Sequence, residues 1–254
     1  MQIIACAGVT LVAAGVACGS FLDEWKSGIN WNEPVKIDPG DEQPPAPVPS
    51  DAIVLFGGDN LDAWSSNGGD AGWEINGDGS ATVKGGSITT KQSFDDVQLH
   101  VEFKTPEGET STGQGKGNSG VFLMNAFEVQ VLDSFENETY FDGQAGAIYK
   151  QSPPLVNASL PPGTWQQYDI VFEAPHFDDD GNLEEPAYIT VFHNGVLVQN
   201  RYAIQGGTHY DRPPAYDSAD ETGPISIQDH SNPVQYRNIW VRELKLGDDD
   251  RIGQ

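Results

Sequence analysis

The stretch Ala126-Phe127-Glu128-Val129-Gln130-Val131-Leu132-Asp133-Ser134 decides the fold. Phe127, Val129 and Val131 share one parity and so one face of an extended strand, whereas Glu128 and Gln130 point the other way. Such alternation describes a strand with one side on a core and the other toward something polar. A carboxylate and an amide adjacent on one sheet face suit hydroxyl-rich ligands, because sugar hydroxyls both donate and accept. A solvated outer face would carry the same pair. Just upstream, Gly117-Asn118-Ser119-Gly120 sets another amide beside bare backbone, as close ligand approach requires.

Working outward, runs of the same texture recur from Asp51 to about Leu246: Ala52–Phe56, Gly72–Ile75, Ala81–Val83, Val97–Lys104, Gly120–Met124, Gln166–Phe172, Tyr188–His193, Val196–Gln199, Ile225–Gln228 and Ile239–Leu244. They are rich in Val, Ile, Phe, Trp and Tyr and bounded by Gly, Asn, Asp or Pro, the signature of strands. Asn76-Gly77-Asp78-Gly79 and His193-Asn194-Gly195 read as hairpin turns. No stretch keeps a capped apolar period of helical spacing. The expected fold is all-β, a two-sheet antiparallel jelly-roll sandwich.

The chain of 254 residues carries 38 acidic and 13 basic side chains, a net charge of −25. A surface this acidic repels phosphate backbones, so nucleic acid and anionic membrane are poor partners. Its two cysteines, Cys6 and Cys18, both precede residue 20, so no disulfide scaffold or multi-cysteine metal site is available. Residues 3–17 are apolar or small, shorter than a membrane span, and fit the core of a secretory signal. Gly15-Val16-Ala17-Cys18-Gly19-Ser20 looks like a lipobox, which makes Cys18 the expected lipidation site; an ordinary signal peptide is the alternative. The expected organisation is a signal over 1–18, a Pro-rich tether or strap over 19–50, the sandwich over 51–246, and an acidic tail over 247–254. The expected location is the periplasm or outer membrane, with membrane contact only through the lipid anchor.

A second polar cluster is Gly223-Pro224-Ile225-Ser226-Ile227-Gln228-Asp229-His230-Ser231-Asn232-Pro233, followed by Tyr236-Arg237-Asn238-Ile239-Trp240. A strand ends in Gln-Asp-His, turns at Asn-Pro and returns through an Arg. It reads either as a site rim, with His230 as a general base, or as a turn stabilised by Asp229 and Asn232. Asp178-Asp179-Asp180-Gly181-Asn182 fails the spacing of a calcium loop, since Ala187 stands where the bidentate Glu belongs, and reads as a hairpin turn. Gly113-Gln114-Gly115-Lys116-Gly117 precedes a strand rather than a helix and reads as a flexible loop, not a phosphate cradle.

Further stretches complete an ordered set: Trp31-x-Glu33-Pro34, Pro49 through Phe56, Trp64, Gly117 through Phe122, Phe127 through Ser134, Gly146-Ala147-Ile148-Tyr149, Pro162-Gly163-x-Trp165-Gln166-x-Tyr168-Asp169, Phe192-His193-Asn194-Gly195, and Gly223-Pro224 through Trp240. In this order, over nearly all of residues 31–243, the chain resembles the bacterial 3-keto-disaccharide hydrolase family, whose fold is like that of concanavalin A lectins and glucanases. Two departures stand out: Phe127 replaces a common Tyr, and Met124-Asn125 replaces the usual Arg.

The resemblance implies cleavage of glycosides already oxidised to a ketone at C3. The ketone acidifies the C2 proton, and the resulting enolate expels the group at C1. Such an enzyme needs a base, donors for the enolate oxygen and an acid for the leaving oxygen. Glu128 and His230 are the base and acid candidates, in either order. Arg237, Asn118 and Gln130 would hold the oxyanion and hydroxyls, with Asp133, Tyr149 and Asp229 as further substrate-binding candidates. No cofactor is identified; a divalent metal would serve the oxyanion equally, but no ligand set is legible. The expected partner is an oxidised glycoside or disaccharide. Two rivals stay open. A retaining glucanase would read Glu128-x-Gln130-x-x-Asp133 as its carboxylate motif, although two retaining carboxylates must lie ~5–5.5 Å apart. A non-catalytic sugar-binding module would need no acid–base pair.

Overall fold

Two antiparallel sheets face each other across one apolar core in the computed structural model, which describes residues 23–246. The expected signal peptide, the expected lipidation site Cys18 and the expected acidic tail lie outside the described residues. The front sheet has six strands, in the order Phe127–Val131, Ser119–Leu123, Gly223–Ile227, Ile88–Phe94, Trp64–Ser66 and Gly69–Asp70. The back sheet runs Val196–Ala203, Tyr188–His193, Gln166–Glu173, Val97–Lys104, Gln235–Glu243, Ala81–Thr82 and Glu74–Ile75, with Ile53–Phe56 also paired to Gln235–Glu243.

Period-two alternation builds the core. Val121, Val129, Val131 and Ile227 from the front sheet, and Leu99, Val101, Phe103, Ile170, Phe172 and Val191 from the back, are all fully buried. Each such side chain contributes roughly 1.5–3 kcal/mol relative to exposure. Two tyrosines rivet the layers together. The Tyr168 hydroxyl donates to the Gln130 carbonyl at 2.7 Å, and the Tyr236 hydroxyl donates to Ser119 Oγ at 2.7 Å. Both phenols are fully buried, so each needs such a partner.

Ile88–Phe94, a central strand of the front sheet, was not among the expected runs. Its residues Thr89-Thr90-Lys91-Gln92-Ser93 are polar, and only Ile88, Thr90 and Phe94 turn inward. Cross-strand pairing places it where local composition does not. The Asp178–Asn182 segment is a hairpin turn, with Asp178 Oδ1 accepting from the Asn182 amide at 2.7 Å. Gly113–Gly115 forms a 3-10 turn, pinned where the Gly113 amide donates to Asn137 Oδ1 at 2.8 Å and the Gly117 amide to Glu109 at 2.7 Å. The expectation of a flexible loop is corrected accordingly, because those two side chains satisfy its backbone.

The Pro-rich segment crosses the outer face of the back sheet. In Pro44-Pro45-Ala46-Pro47 only Ala46 has an N–H, and it donates to Glu102 at 3.0 Å while its carbonyl accepts from Asn238 at 2.9 Å.

Candidate active site

The hairpin Ser119–Leu123/Phe127–Val131 forms one edge of the front sheet, with Glu128 opposite Phe122 and Gln130 opposite Gly120. Because Phe127, Val129 and Val131 are spent on the core, Glu128 and Gln130 stand on the outer face. That face is not solvated: they are 4% and 1% exposed. Residues 146–149 cover the sheet edge, with the Gln130 amide donating to the Ala147 carbonyl at 3.0 Å and the Tyr149 amide donating to the Glu128 carbonyl at 3.2 Å. At the same edge, Thr208 Oγ1 accepts from the Glu128 amide at 3.1 Å.

The result is a cavity of about 280 Å³ lined by Asn118, Phe122, Glu128, Gln130, Tyr149, Thr208, Tyr210, Gln228 and His230. At ~30 Å³ per water it has room for about nine waters, the space of one sugar ring. A second cavity of about 340 Å³ adjoins it across Phe122 and Thr208, and is also lined by Met124, Asn125, Tyr216 and Thr222. The two make a groove along the hairpin tip. Met124 and Asn125 hold φ of 52° and 54° in the tip's turn, a conformation that costs a Met side chain energy and is often kept near functional sites.

Glu128 is the unusual group. Among the described residues no hydrogen bond reaches its carboxyl, and burial alone pushes its pKa up to about 8. Gly120 makes this placement possible. A Cβ there would lie 2.5 Å from Glu128 Oε1 and 2.9 Å from the Phe122 ring, so the bare backbone serves the carboxyl itself.

The amides around it are fixed by a second layer. Gln130 Nε2 donates to Asn118 Oδ1 at 3.2 Å and to Gln114 Oε1 at 3.3 Å, while Asn118 Nδ2 donates to the Gln114 carbonyl at 2.7 Å. The Asn118 amide in turn donates to Asn232 Oδ1 at 2.7 Å. Tyr149 is half-buried, and its hydroxyl lies 2.7 Å from that of Tyr140. Desolvation raises the Tyr149 pKa to about 12, so its proton stays on at neutral pH. His230 is exposed on the cavity wall.

Five of the expected residues therefore share one cavity: Glu128, His230, Asn118, Gln130 and Tyr149. Three do not line it, and their assignment is corrected. Arg237 belongs to the back sheet. Its neighbour Tyr236 points inward, so period two sends Arg237 to the far surface, where Nε donates to Glu102 at 2.6 Å and the guanidinium stacks 4.1 Å from the Trp165 centroid. Asp229 is a turn group, accepting from the Gly86 and Ser231 amides at 2.8 Å each. Asp133 lies beyond the strand end, 1% exposed and 3.0 Å from Lys116 Nζ. Phe122, Thr208 and Tyr210 were not foreseen as wall residues, nor Gln114 behind it, while Gln228 stood in the expected rim segment without a role of its own. Only the parity of Phe122 on its strand could have signalled one of them. No group of three or more His, Cys, Asp and Glu side chains among the described residues is arranged to hold a metal ion.

Comparison with known proteins gives this geometry a context. The family described as "3-keto-alpha-glucoside-1,2-lyase-like domain" matches residues 51–242. The 3-keto-disaccharide hydrolase of Bacteroides thetaiotaomicron is 24% identical over 249 residues, covering 78% of this chain and 80% of its own. A crystal structure of a candidate glycosyl hydrolase from Parabacteroides distasonis is 47% identical, with a TM-score of 0.74, covering 77% of this chain and 84% of that one. A second such structure from that organism, 21% identical with a TM-score of 0.55 and covering 76% of this chain and 94% of its own, shares the fold. The chain belongs to the 3-keto-α-glucoside-1,2-lyase-like family.

Proposed function

We propose that this protein cleaves glycosides whose sugar has been oxidised to a ketone at C3, with Glu128 as the base. The observation that carries the reading is a desolvated carboxyl, without a hydrogen-bond partner among the described residues, on the wall of a sugar-sized cavity otherwise lined by amides and hydroxyls. A base whose pKa is about 8 is ionised in about a tenth of molecules at pH 7. Once ionised it is strong, because little surrounds it to stabilise the charge. The relatives' names, as hydrolases of keto-disaccharides and of glycosides, support the same substrate class.

In this mechanism Glu128 takes the C2 proton, and the C2–H electron pair forms the enolate. The enolate then expels the C1 oxygen, which takes a proton from His230 at the rim, and a C1–C2 double bond remains. Water adding across that bond, with oxygen to C1 and hydrogen to C2, turns elimination into net hydrolysis. Asn118, Gln130 and Gln228 hold the ring hydroxyls, and the adjoining cavity takes the leaving group. The retaining-glucanase reading loses support because Asp133, its second carboxylate, is paired with Lys116 away from the cavity. We also propose export with lipidation at Cys18, on the sequence pattern alone, checked by fatty-acid labelling of the wild type and Cys18→Ser.

The test of function is incubation with a 3-keto-disaccharide and with its unoxidised parent. Cleavage of the keto sugar alone is expected. Rapid cleavage of the parent would favour the glucanase, and no turnover of either would favour a sugar-binding module.

A further inference from the structure

The proposed chemistry puts negative charge on the C3 oxygen, and Arg237, the cation expected to receive it, sits on the other sheet. A different donor faces the cavity. Tyr149 is joined to the base through the backbone, since its amide donates to the Glu128 carbonyl. Its hydroxyl has one protein partner among the described residues, the Tyr140 hydroxyl at 2.7 Å. A carbonyl or enolate oxygen only accepts. Where such an oxygen meets the Tyr149 hydroxyl, Tyr149 is the donor, and Tyr140 then donates to Tyr149. Hydrogen bonds in series of this kind polarise one another.

Tyr140 is held by a built support. Lys150 is 4% exposed, and its ammonium lies 4.2 Å from the Tyr140 ring centroid and 5.6 Å from that of Tyr149. It pairs with Glu24 and donates to the Trp25 carbonyl at 3.1 Å, which fixes the ammonium beside the phenol pair. Lys150 adopts φ of 63°, an unfavourable conformation for a long side chain. Gly143 gives Tyr140 its place, for a Cβ there would overlap the Tyr140 ring. A buried cation, a strained backbone and a bare glycine thus converge on the orientation of one phenol pair.

We infer that Tyr149 is the oxyanion donor of this site, hydrogen-bonding the C3 oxygen as the enolate forms, with Tyr140 and Lys150 as positioning residues. This rests on the function proposed above and names the group that stabilises its intermediate. The step is balanced: Glu128 gains the C2 proton, the C2–H pair becomes the C2–C3 double bond, and the carbonyl pair moves onto the oxygen facing Tyr149. The Tyr149 proton stays on Tyr149, and its phenolic pKa near 12 accords with that role.

The experiment uses a 3-keto sugar with hydrogen at C1 in place of a leaving group, incubated in D₂O. Nuclear magnetic resonance follows deuterium entering at C2, and calorimetry measures binding. This readout needs the base and the oxyanion donor but not the acid for the leaving oxygen. The wild type should exchange, and Glu128→Gln should not. Tyr149→Phe should exchange about 10²–10³-fold more slowly, the typical loss for one oxyanion donor, with affinity for the keto sugar changed by less than about threefold. Tyr140→Phe and Lys150→Met should slow exchange by about tenfold at similar affinity. Should Tyr149→Phe fail to fold, 3-fluorotyrosine at position 149 keeps the ring and makes a more acidic donor. It should speed exchange by about twofold or more. Exchange by folded Tyr149→Phe at the wild-type rate, or an unchanged rate with fluorotyrosine, would overturn the assignment while the proposed function stood. No exchange by the wild type would overturn both.

Discussion

Glu102 and Glu128 are the same residue type, 2% and 4% exposed, on the outer faces of opposite sheets, and they end in opposite states. On the back sheet, burial alone would raise Glu102, but His100, Asn238, Arg237 and the Ala46 amide all bond it and bring its pKa to about 2. On the front sheet only burial acts on Glu128, and its pKa rises to about 8. A buried carboxylate surrounded by donors is finished and holds structure; one without donors is poised to exchange a proton. The back cluster clamps the Pro-rich strap to the sheet. The front one opens into a sugar-sized cavity.

The largest expected difference is in turnover. Glu128→Gln should lower kcat on a 3-keto-disaccharide by about 10²–10⁴-fold with a small change in KM. Glu102→Gln should leave kcat of the folded protein near the wild-type value. Steady-state kinetics of both variants checks this, and equal losses in the two would erase the contrast.

Next comes stability against pH. Glu128 binds its proton more tightly folded than unfolded, so folding loses stability as pH rises from the ordinary carboxylate range to about 8. Glu128→Gln should therefore gain a few kcal/mol over the wild type at pH 9 and little at pH 4.5. Urea denaturation at the two pH values measures it. A gain that does not depend on pH would contradict the raised pKa.

Glu102→Gln should cost about 3 kcal/mol at pH 7, because Arg237 and His100 lose their buried partner. The midpoint of urea denaturation reports it. His100 adds a smaller effect of its own. Burial lowers its pKa, but Asp169 at 2.7 Å and Glu102 more than offset this and raise it to about 8. Its contribution, up to about 2 kcal/mol, is present below the free histidine value near 6.5 and lost as pH rises through 8. His100→Asn should flatten that part of the stability profile while Glu128→Gln flattens the other. The smallest effect is expected of Gly120→Ala, which pushes the Glu128 carboxyl aside. About a tenfold fall in kcat should follow with the fold retained, as circular dichroism would show.

The contrast between the two glutamates was half legible. Alternation in Phe127-Glu128-Val129-Gln130-Val131 placed the front pair on an outer face, and the ordered run of strands and turns placed that face in an antiparallel sandwich. What buries the pair is not local. Thr208 and Tyr210 arrive from about eighty residues further along the chain, and nothing in their own neighbourhoods signals the meeting, whereas His230 was legible as a rim residue and Tyr149 through the resemblance. Ile88–Phe94 escaped notice because its polar residues are held by strands on either side. Arg237 was drawn to the front site by its nearness in sequence to His230. The parity of inward-facing Tyr236 was the available signal that it faces the other way.

The most direct test of the account is a titration of both carboxyls in one sample, using glutamate labelled with ¹³C at the side-chain carboxyl and nuclear magnetic resonance from pH 3 to 10. One resonance should titrate near pH 8 and vanish in Glu128→Gln, and another, lost in Glu102→Gln, should stay ionised throughout. If the resonance lost in Glu128→Gln instead titrates in the ordinary range below pH 5.5, Glu128 is not a desolvated base and the account of this site is contradicted.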